Sequence, residues 1–259
     1  MVNRILIKIG GRAFENEGGF RALAEAIKAN KTAEVIIVHG GGAEISRSLK
    51  DAGRKTEFID GIRITRAADI KIVEAVLSGT VNQRISAWLE ANGVPCLRMS
   101  GKTEELFIVE PLTRNGRDLG FVGQIKQINP AAVERAIQSD KVPVISPISA
   151  DENGDSFNVN ADTAAAALAA AAGCTDLVFV TDVPGVLVDG RTQASLAVKE
   201  AQNLIADGII EGGMVAKMES AFAALEKKVA RVHIIQWQGP QTLASILERK
   251  SAAGTVIKS

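Results

Sequence analysis

The stretch Ile5-Leu6-Ile7-Lys8-Ile9-Gly10-Gly11 decides the fold. An Ile/Leu run this short, broken at once by glycine, predicts a buried strand leaving a sheet. Lys8 then sits near the strand's end, at the carboxyl edge where ligands collect in α/β folds. Gly10 and Gly11 leave backbone N–H groups open to a phosphate. A strand-end lysine beside an ordinary turn fits the same residues, so the rest of the chain has to decide.

The pattern repeats. Gly19–Asn30 places Phe20, Leu23, Ala24 and Ile27 at helical spacing, and Glu34–Val38 is a second apolar run ending in His39-Gly40-Gly41-Gly42. A helix over Ala43–Ala52 follows, giving βαβα, the pattern of a parallel sheet with helices on its faces. The glycine run does not complete GxGxxG, because Ile45 stands in the third glycine's place, and no GxxxxGK[ST] loop occurs. Further strands are predicted over Pro95–Met99, Val142–Ser149, Leu177–Thr181, His233–Trp237 and Gly254–Ile257. Helices are predicted over Ala67–Asn92 (one or two), Pro130–Ser139, Ala161–Ala172, Met214–Lys228 and Leu243–Lys250. Asp60-Gly61 and Asn115-Gly116 mark two hairpins.

With 259 residues the chain suffices for one large domain or two lobes, and any boundary falls near residues 175–180 within one continuous sheet. Thirty basic residues balance thirty acidic ones, so no global field favours nucleic acid or an anionic membrane, and any anion site is local. Cys96 and Cys174 form no CxxC pattern and fit a reducing compartment. No signal peptide and no long apolar run are evident, so a cytoplasmic protein is expected.

Four features carry chemistry. Arg63 rides on the first hairpin, either as a bidentate clamp for a carboxylate or as a solvated arginine on an exposed strand. Asn158, Asn160 and Asp162 precede or open a helix, and capping accounts for only one of them. Thr181-Asp182 leads into a Pro184-Gly185 turn that can wall a pocket. Gly212-Gly213 precedes a helix with Lys217 read into its first turn, against the helix dipole. Two lysines, three glycine turns and one aspartate suit phosphoryl transfer, which needs alignment and charge neutralisation more than covalent help. His39 and His233 are expected to pack or cap.

In order, Lys8-x-Gly-Gly, His39-Gly-Gly-Gly, Gly61-x-Arg63-x-Thr, Asn158-x-Asn160-Ala-Asp162, Thr181-Asp-x-x-Gly185 and Gly212-Gly-Met-x-x-Lys217 resemble the amino acid kinase family, over essentially the whole chain. The resemblance implies a three-layer αβα sandwich around a mainly parallel sheet. It implies residues 1–175 for the acceptor and dimerisation and residues 176–259 for ATP. Lys8 and Lys217 would stabilise the transferring phosphoryl group, with Asp162 orienting them. Gly10, Gly11, Gly41 and Gly42 would present N–H groups to phosphates and acceptor, and Arg63, Asn158 and Asn160 would hold the acceptor. Thr181, Asp182, Val183, Pro184, Gly185 and Val186, with Ile209, Ile210 and Glu211, would line the nucleotide pocket. Mg²⁺ would travel with ATP, without side-chain ligands.

The GIRIT and NVNAD stretches fit the branch that phosphorylates the γ-carboxylate of N-acetyl-L-glutamate in arginine synthesis. A kinase for carrier-protein-linked aminoadipate or glutamate, and a non-catalytic nucleotide sensor, are the alternatives. The first strand starts within a few residues of Met1, which suggests the homodimeric, unregulated type. Gln236-Trp-Gln-Gly-Pro stands where many relatives have Asp-Gly-Arg, which counts against a C-terminal effector site.

Overall fold

A computed structural model of the chain describes residues 3–10, 14, 17–31, 33–248 and 254–258. The opening run forms β1 (Asn3–Ile9). Successive side chains of a strand point to opposite faces, and here both faces are covered. Ile5, Ile7 and Ile9 enter one core while Leu6 enters the other, which is why the run lacks polar alternation. Lys8 shares its face with Leu6.

α1 (Glu17–Ala29) buries Phe20, Leu23 and Ala24. β2 (Ala33–His39) and α2 (Gly42–Asp51) complete the expected βαβα. β3 (Phe58–Ile59) and β4 (Ile62–Arg63) flank the Asp60-Gly61 turn, whose φ values of 49° and 78° are those of a two-residue hairpin turn. α3 (Ile70–Glu74), a π-helical turn (Ala75–Val81) and α4 (Asn82–Ala91) follow without a break.

β5 (Cys96–Ser100) precedes a long hairpin of β6 (Phe107–Arg114) and β7 (Arg117–Ile128), then α5 (Ala131–Gln138). The expected single strand over Val142–Ser149 is divided at Pro147 into β8 (Val142–Ser146) and β9 (Ile148–Ala150). The two belong to different sheets, and proline, which cannot donate to a ladder, stands at the switch. β10 (Ser156–Asn158) leads into α6 (Ala161–Ala171). Ala164, Ala165, Ala166 and Ala169 are buried there, their small side chains admitting α6 close to the sheet.

β11 (Asp176–Val180) starts the second βα series. The sequence reading assigned nothing to residues 187–207, which hold β12 (Leu187–Val188), β13 (Arg191–Thr192), β14 (Ser195–Ala197) and α7 (Val198–Ala206). α8 (Gly213–Glu226), β15 (Arg231–Ile235), α9 (Gln241–Leu247) and β16 (Gly254–Lys258) complete the described elements.

Eight strands form the central sheet in the order β14-β16-β15-β11-β1-β2-β8-β5. Its neighbouring pairs are parallel except β15 with β16, so the mainly parallel sheet expected from the sequence is present. β6, β7, β9 and β10 close a small barrel beside it. The sheet runs on through residues 175–180, since β11 pairs directly with β1. No described helix is long and apolar enough to cross a membrane.

Candidate active site

β1, β2 and β11 end on the same edge of the sheet, and the candidate site residues gather there. Lys8 pairs in register with Phe179 of β11. Its ammonium lies 2.8 Å from Oδ1 of Asp162, which opens α6. Lys217 comes from α8 and donates to Oδ2 of the same carboxylate at 2.8 Å. All three side chains are mostly buried, with 10–13% exposure. One carboxylate therefore holds two ammonium groups side by side.

The electrostatics follow from this geometry. Burial alone raises the Asp162 carboxyl, but the two lysines outweigh it and hold the carboxyl at about 2. Burial lowers the Lys217 pKa, with Lys8 adding to that effect and Asp162 opposing it. The Lys217 ammonium also lies 4.8 Å from the centre of the Phe179 ring, a favourable cation–π contact. Lys217 is the fifth residue of α8, not in its first turn as the sequence suggested. Its place is set by Asp162 and Phe179 more than by opposition to the helix dipole.

A cavity of about 190 Å³ opens beside this triad. Its walls are Lys8, Gly40–Gly42, Phe58, Arg63, Leu77, Pro147 and Asn158–Asp162. Arg63 is only 6% exposed, which removes the reading as a solvated arginine. Its guanidinium donates to the Gly42 carbonyl at 2.8 Å and Ser46 Oγ at 2.9 Å, and it lies 4.7 Å from the centre of the Phe58 ring. Burial lowers its pKa, yet an arginine starts high enough to stay charged. The hairpin is thus tied to the start of α2 at the cavity wall.

Asn158 donates from Nδ2 to Thr65 Oγ1 at 3.2 Å. Asn160 is the N-cap of α6, its Oδ1 accepting from the N–H groups of Asp162 and Thr163 at 2.9 and 3.1 Å. No side chain caps α2, whose N-cap is Gly41, so among the described residues the first N–H groups of that helix keep no side-chain partner. With the helix dipole behind them, such groups suit an anion. A β-carbon on Gly41 would meet Leu77 Cδ2 at 2.8 Å, so the turn lies tightly on the π-helical segment. Gly11 lies outside the described residues.

The second set of expected residues follows β11 and precedes α8. Thr181 donates its N–H to the Ile235 carbonyl at 2.9 Å, and Val186 donates its N–H to Thr255 Oγ1 at 2.8 Å. A β-carbon on Gly185 would lie 2.7 Å from Thr255 Oγ1. Val183 and Ile209 stand exposed, whereas Val186 and Ile210 are buried. Asp182 also lines a separate cavity of about 310 Å³ on the other side of the Gly40–Gly42 turn. Pro184 and Glu211 lie in these same two loops, and the N–H of Met214 donates to the Glu211 carbonyl at 3.3 Å.

Sequence reasoning missed Phe179, Ser46 and Asn82. Phe179 looked like any core residue of an apolar strand. Asn82 stands beside a second carboxamide, Gln83, and nothing local marks which of the two is buried.

A mainly parallel α/β sheet whose edge pairs two buried cations on one carboxylate, beside an uncapped helix start, is the architecture of a site for phosphorylated ligands. The chain matches the amino acid kinase family over residues 3–236 and belongs to it. The acetylglutamate kinase of Geobacillus kaustophilus (strain HTA426) is 38% identical over 236 residues, covering 91% of this chain and 90% of that protein. That of Syntrophomonas wolfei is 36% identical over 260 residues, covering 98% and 90%. A solved structure from Streptococcus mutans UA159 superposes with a TM-score of 0.84 at 27% identity, covering 100% of this chain and 99% of that one.

Proposed function

We propose that this protein transfers the γ-phosphoryl group of ATP to the γ-carboxylate of N-acetyl-L-glutamate, giving an acyl phosphate and ADP, the second step of arginine synthesis. The observation that carries the reading is the pairing of Lys8 and Lys217 on Asp162 next to the Arg63 cavity. The acetylglutamate kinases that align with nearly the whole chain supply the acceptor.

The acceptor oxygen attacks the γ-phosphorus, the bond to the bridging oxygen breaks, and ADP leaves. A side-chain carboxylate is already ionised at neutral pH, so no general base is required. This accounts for a site without a catalytic histidine. Lys8 and Lys217 neutralise the transferring oxygens, and Asp162 keeps both ammonium groups in place while charge migrates. Arg63 and Asn158 bind the acceptor, with Asn160 alongside. Gly10, Gly11, Gly41 and Gly42 offer N–H groups to it and to the phosphates. A β-carbon on Gly10 would reach within 2.5 Å of Lys8 Nζ and 3.3 Å of the Val180 carbonyl, so the ammonium group keeps its place only beside a bare backbone.

Thr181–Val186 and Ile209–Glu211 line the adenine and ribose pocket. Mg²⁺ carried by ATP would add charge neutralisation at the phosphates. Residues 1–175 form the acceptor-binding and dimerisation lobe and residues 176–259 the nucleotide lobe of a cytoplasmic homodimer.

Hydroxylamine trapping of the acyl phosphate tests this, with Mg·ATP and N-acetyl-L-glutamate, glutamate, aspartate, N-acetyl-aminoadipate or a carrier-linked glutamate as acceptor. Hydroxamate is expected with N-acetyl-L-glutamate. Product only from the carrier-linked acid would move the enzyme to the other pathway, and no product from any acceptor would overturn the reading.

A further inference from the structure

Asn82 is only 1% exposed, yet it carries a carboxamide into an apolar core. Burial of such a group is costly unless it is bonded, and here both ends have partners, with three acceptors within reach of the two Nδ2 protons. Its Oδ1 accepts from Nε of Arg98 at 3.1 Å. Its Nδ2 faces the carbonyls of Val144 at 2.9 Å and Met99 at 3.3 Å. An arginine on one side and two carbonyls on the other fix which end of the amide is which.

The same Nδ2 lies 3.1 Å from Nε2 of His39. An amide NH₂ only donates, and the Val144 carbonyl and Nε2 are the nearer two of its three acceptors, so Nε2 is assigned as acceptor and the ring proton to Nδ1. Nδ1 is 2.9 Å from the Gly40 carbonyl, to which it then donates. Gly40 is the first glycine of the turn that walls the acceptor cavity. Burial pushes the His39 pKa down to about 4, so the ring stays neutral at physiological pH. Asn82 also closes the π-helical turn, whose Leu77 and Val81 lie under Gly41, and π turns inside helices recur at functional sites.

We propose that Asn82 is a positioning residue for phosphoryl transfer, holding His39 in the Nδ1–H form so that the ring clamps the Gly40 carbonyl and fixes the Gly40–Gly42 turn. This rests on the kinase reading of the site. Asn82 touches no substrate; it acts through His39 on the peptide groups that do. The π-helical turn supplies the other side of the clamp through packing.

Two measurements test it. The first needs no activity: ¹⁵N–¹H long-range spectra of the whole protein, with His233→Gln assigning the two histidines. His39 is expected as the Nδ1–H tautomer, and an Nε2–H tautomer would overturn the proposal. The second compares Asn82→Ser, His39→Phe and the double variant in the hydroxamate assay. Each single change is expected to lower kcat roughly 10- to 100-fold, as small misplacements of catalytic groups do, with both KM values within about threefold. The double variant is expected to be no slower than the slower single one. Additive losses, or losses that vanish once rates are scaled to folded protein, would overturn it. Wild-type protein making no hydroxamate would sink the kinase reading itself, while the tautomer still decides the His39 arrangement.

Discussion

A β-carbon on Gly10 would lie 2.5 Å from the ammonium nitrogen of Lys8, closer than two such atoms can approach. The obstructing atom is the free end of a flexible side chain, so Gly10→Ala displaces the ammonium group and leaves the strand largely intact. The expected result is kcat down roughly 10- to 100-fold with a melting temperature close to wild type. Unchanged kcat would show that Lys8 keeps its function when moved.

Lys8→Ala and Lys217→Ala should each lower kcat about 100- to 1,000-fold, the range for losing one preorganised group at a developing charge. KM for either substrate should change far less. Arginine is not expected to rescue either site, because its planar fork does not replace a compact ammonium ion. Steady-state kinetics on the four variants decide this: normal turnover in an alanine variant would remove that lysine from the mechanism, and normal turnover in an arginine variant would show that any cation serves there.

Asp162→Asn leaves two buried ammonium groups unpaired, at a cost of about 3–5 kcal/mol at neutral pH. The wild-type carboxyl sits at about 2 in the folded protein, below its ordinary unfolded value near 4. A lowered carboxyl contributes stability that is present above the unfolded value and is lost as pH falls through the folded one. The stability gap between wild type and variant should therefore be constant from about pH 8 to 5 and close towards pH 2. Denaturant melts across that window measure it; a gap undiminished at pH 2 would sink the account.

Arg63→Ala should raise KM for the acceptor roughly 10- to 100-fold and leave KM for ATP within about threefold, since the guanidinium lines the cavity proposed to hold the acceptor. A loss confined to ATP would move the arginine to the other substrate. Initial-rate kinetics with each substrate varied in turn distinguish the two.

Arg114 binds Asp60 of the hairpin turn at 3.1 Å and Glu219 of α8 at 3.3 Å, tying the hairpin to α8. All three side chains are a third to a half exposed, so Arg114→Ala should cost under about 1 kcal/mol of stability. The acceptor KM is expected to rise a few-fold, and the rise should shrink as salt screens the wild-type pairs. A KM independent of both the substitution and the salt would show that the hairpin holds itself.

Much of this architecture was legible in the sequence because local chemistry and tertiary role coincide. After Asn3 and Arg4 at its open start, β1 is apolar at every position except Lys8 near its end, and burial on both faces of that run demands it. Asp60-Gly61 and Asn115-Gly116 form turns because these residues tolerate positive φ, observed at all four. The pairing of Lys8 with Lys217 was expected from glycine turns, although nothing local in the sequence measures their approach. Within residues 187–207, β12 and β13 are two-residue strands, too short to show any period, whereas α7 carries Val198, Ala201, Leu204 and Ile205 at helical spacing and was readable. Pro147 and Asn82 act through long-range packing, which periodicity does not record.

β1 also has a consequence for the growing polypeptide. One side of this strand bonds to β2, which follows closely, and the other bonds to β11 at residues 176–180. At about 5–20 residues per second of synthesis, the second side waits on the order of 10 s with its peptide groups unpaired. Lys8 meanwhile has neither Asp162 nor Lys217. A ribosome-bound chain that has made only its first half therefore lacks the assembled charge triad and exposes an apolar edge suited to chaperone capture.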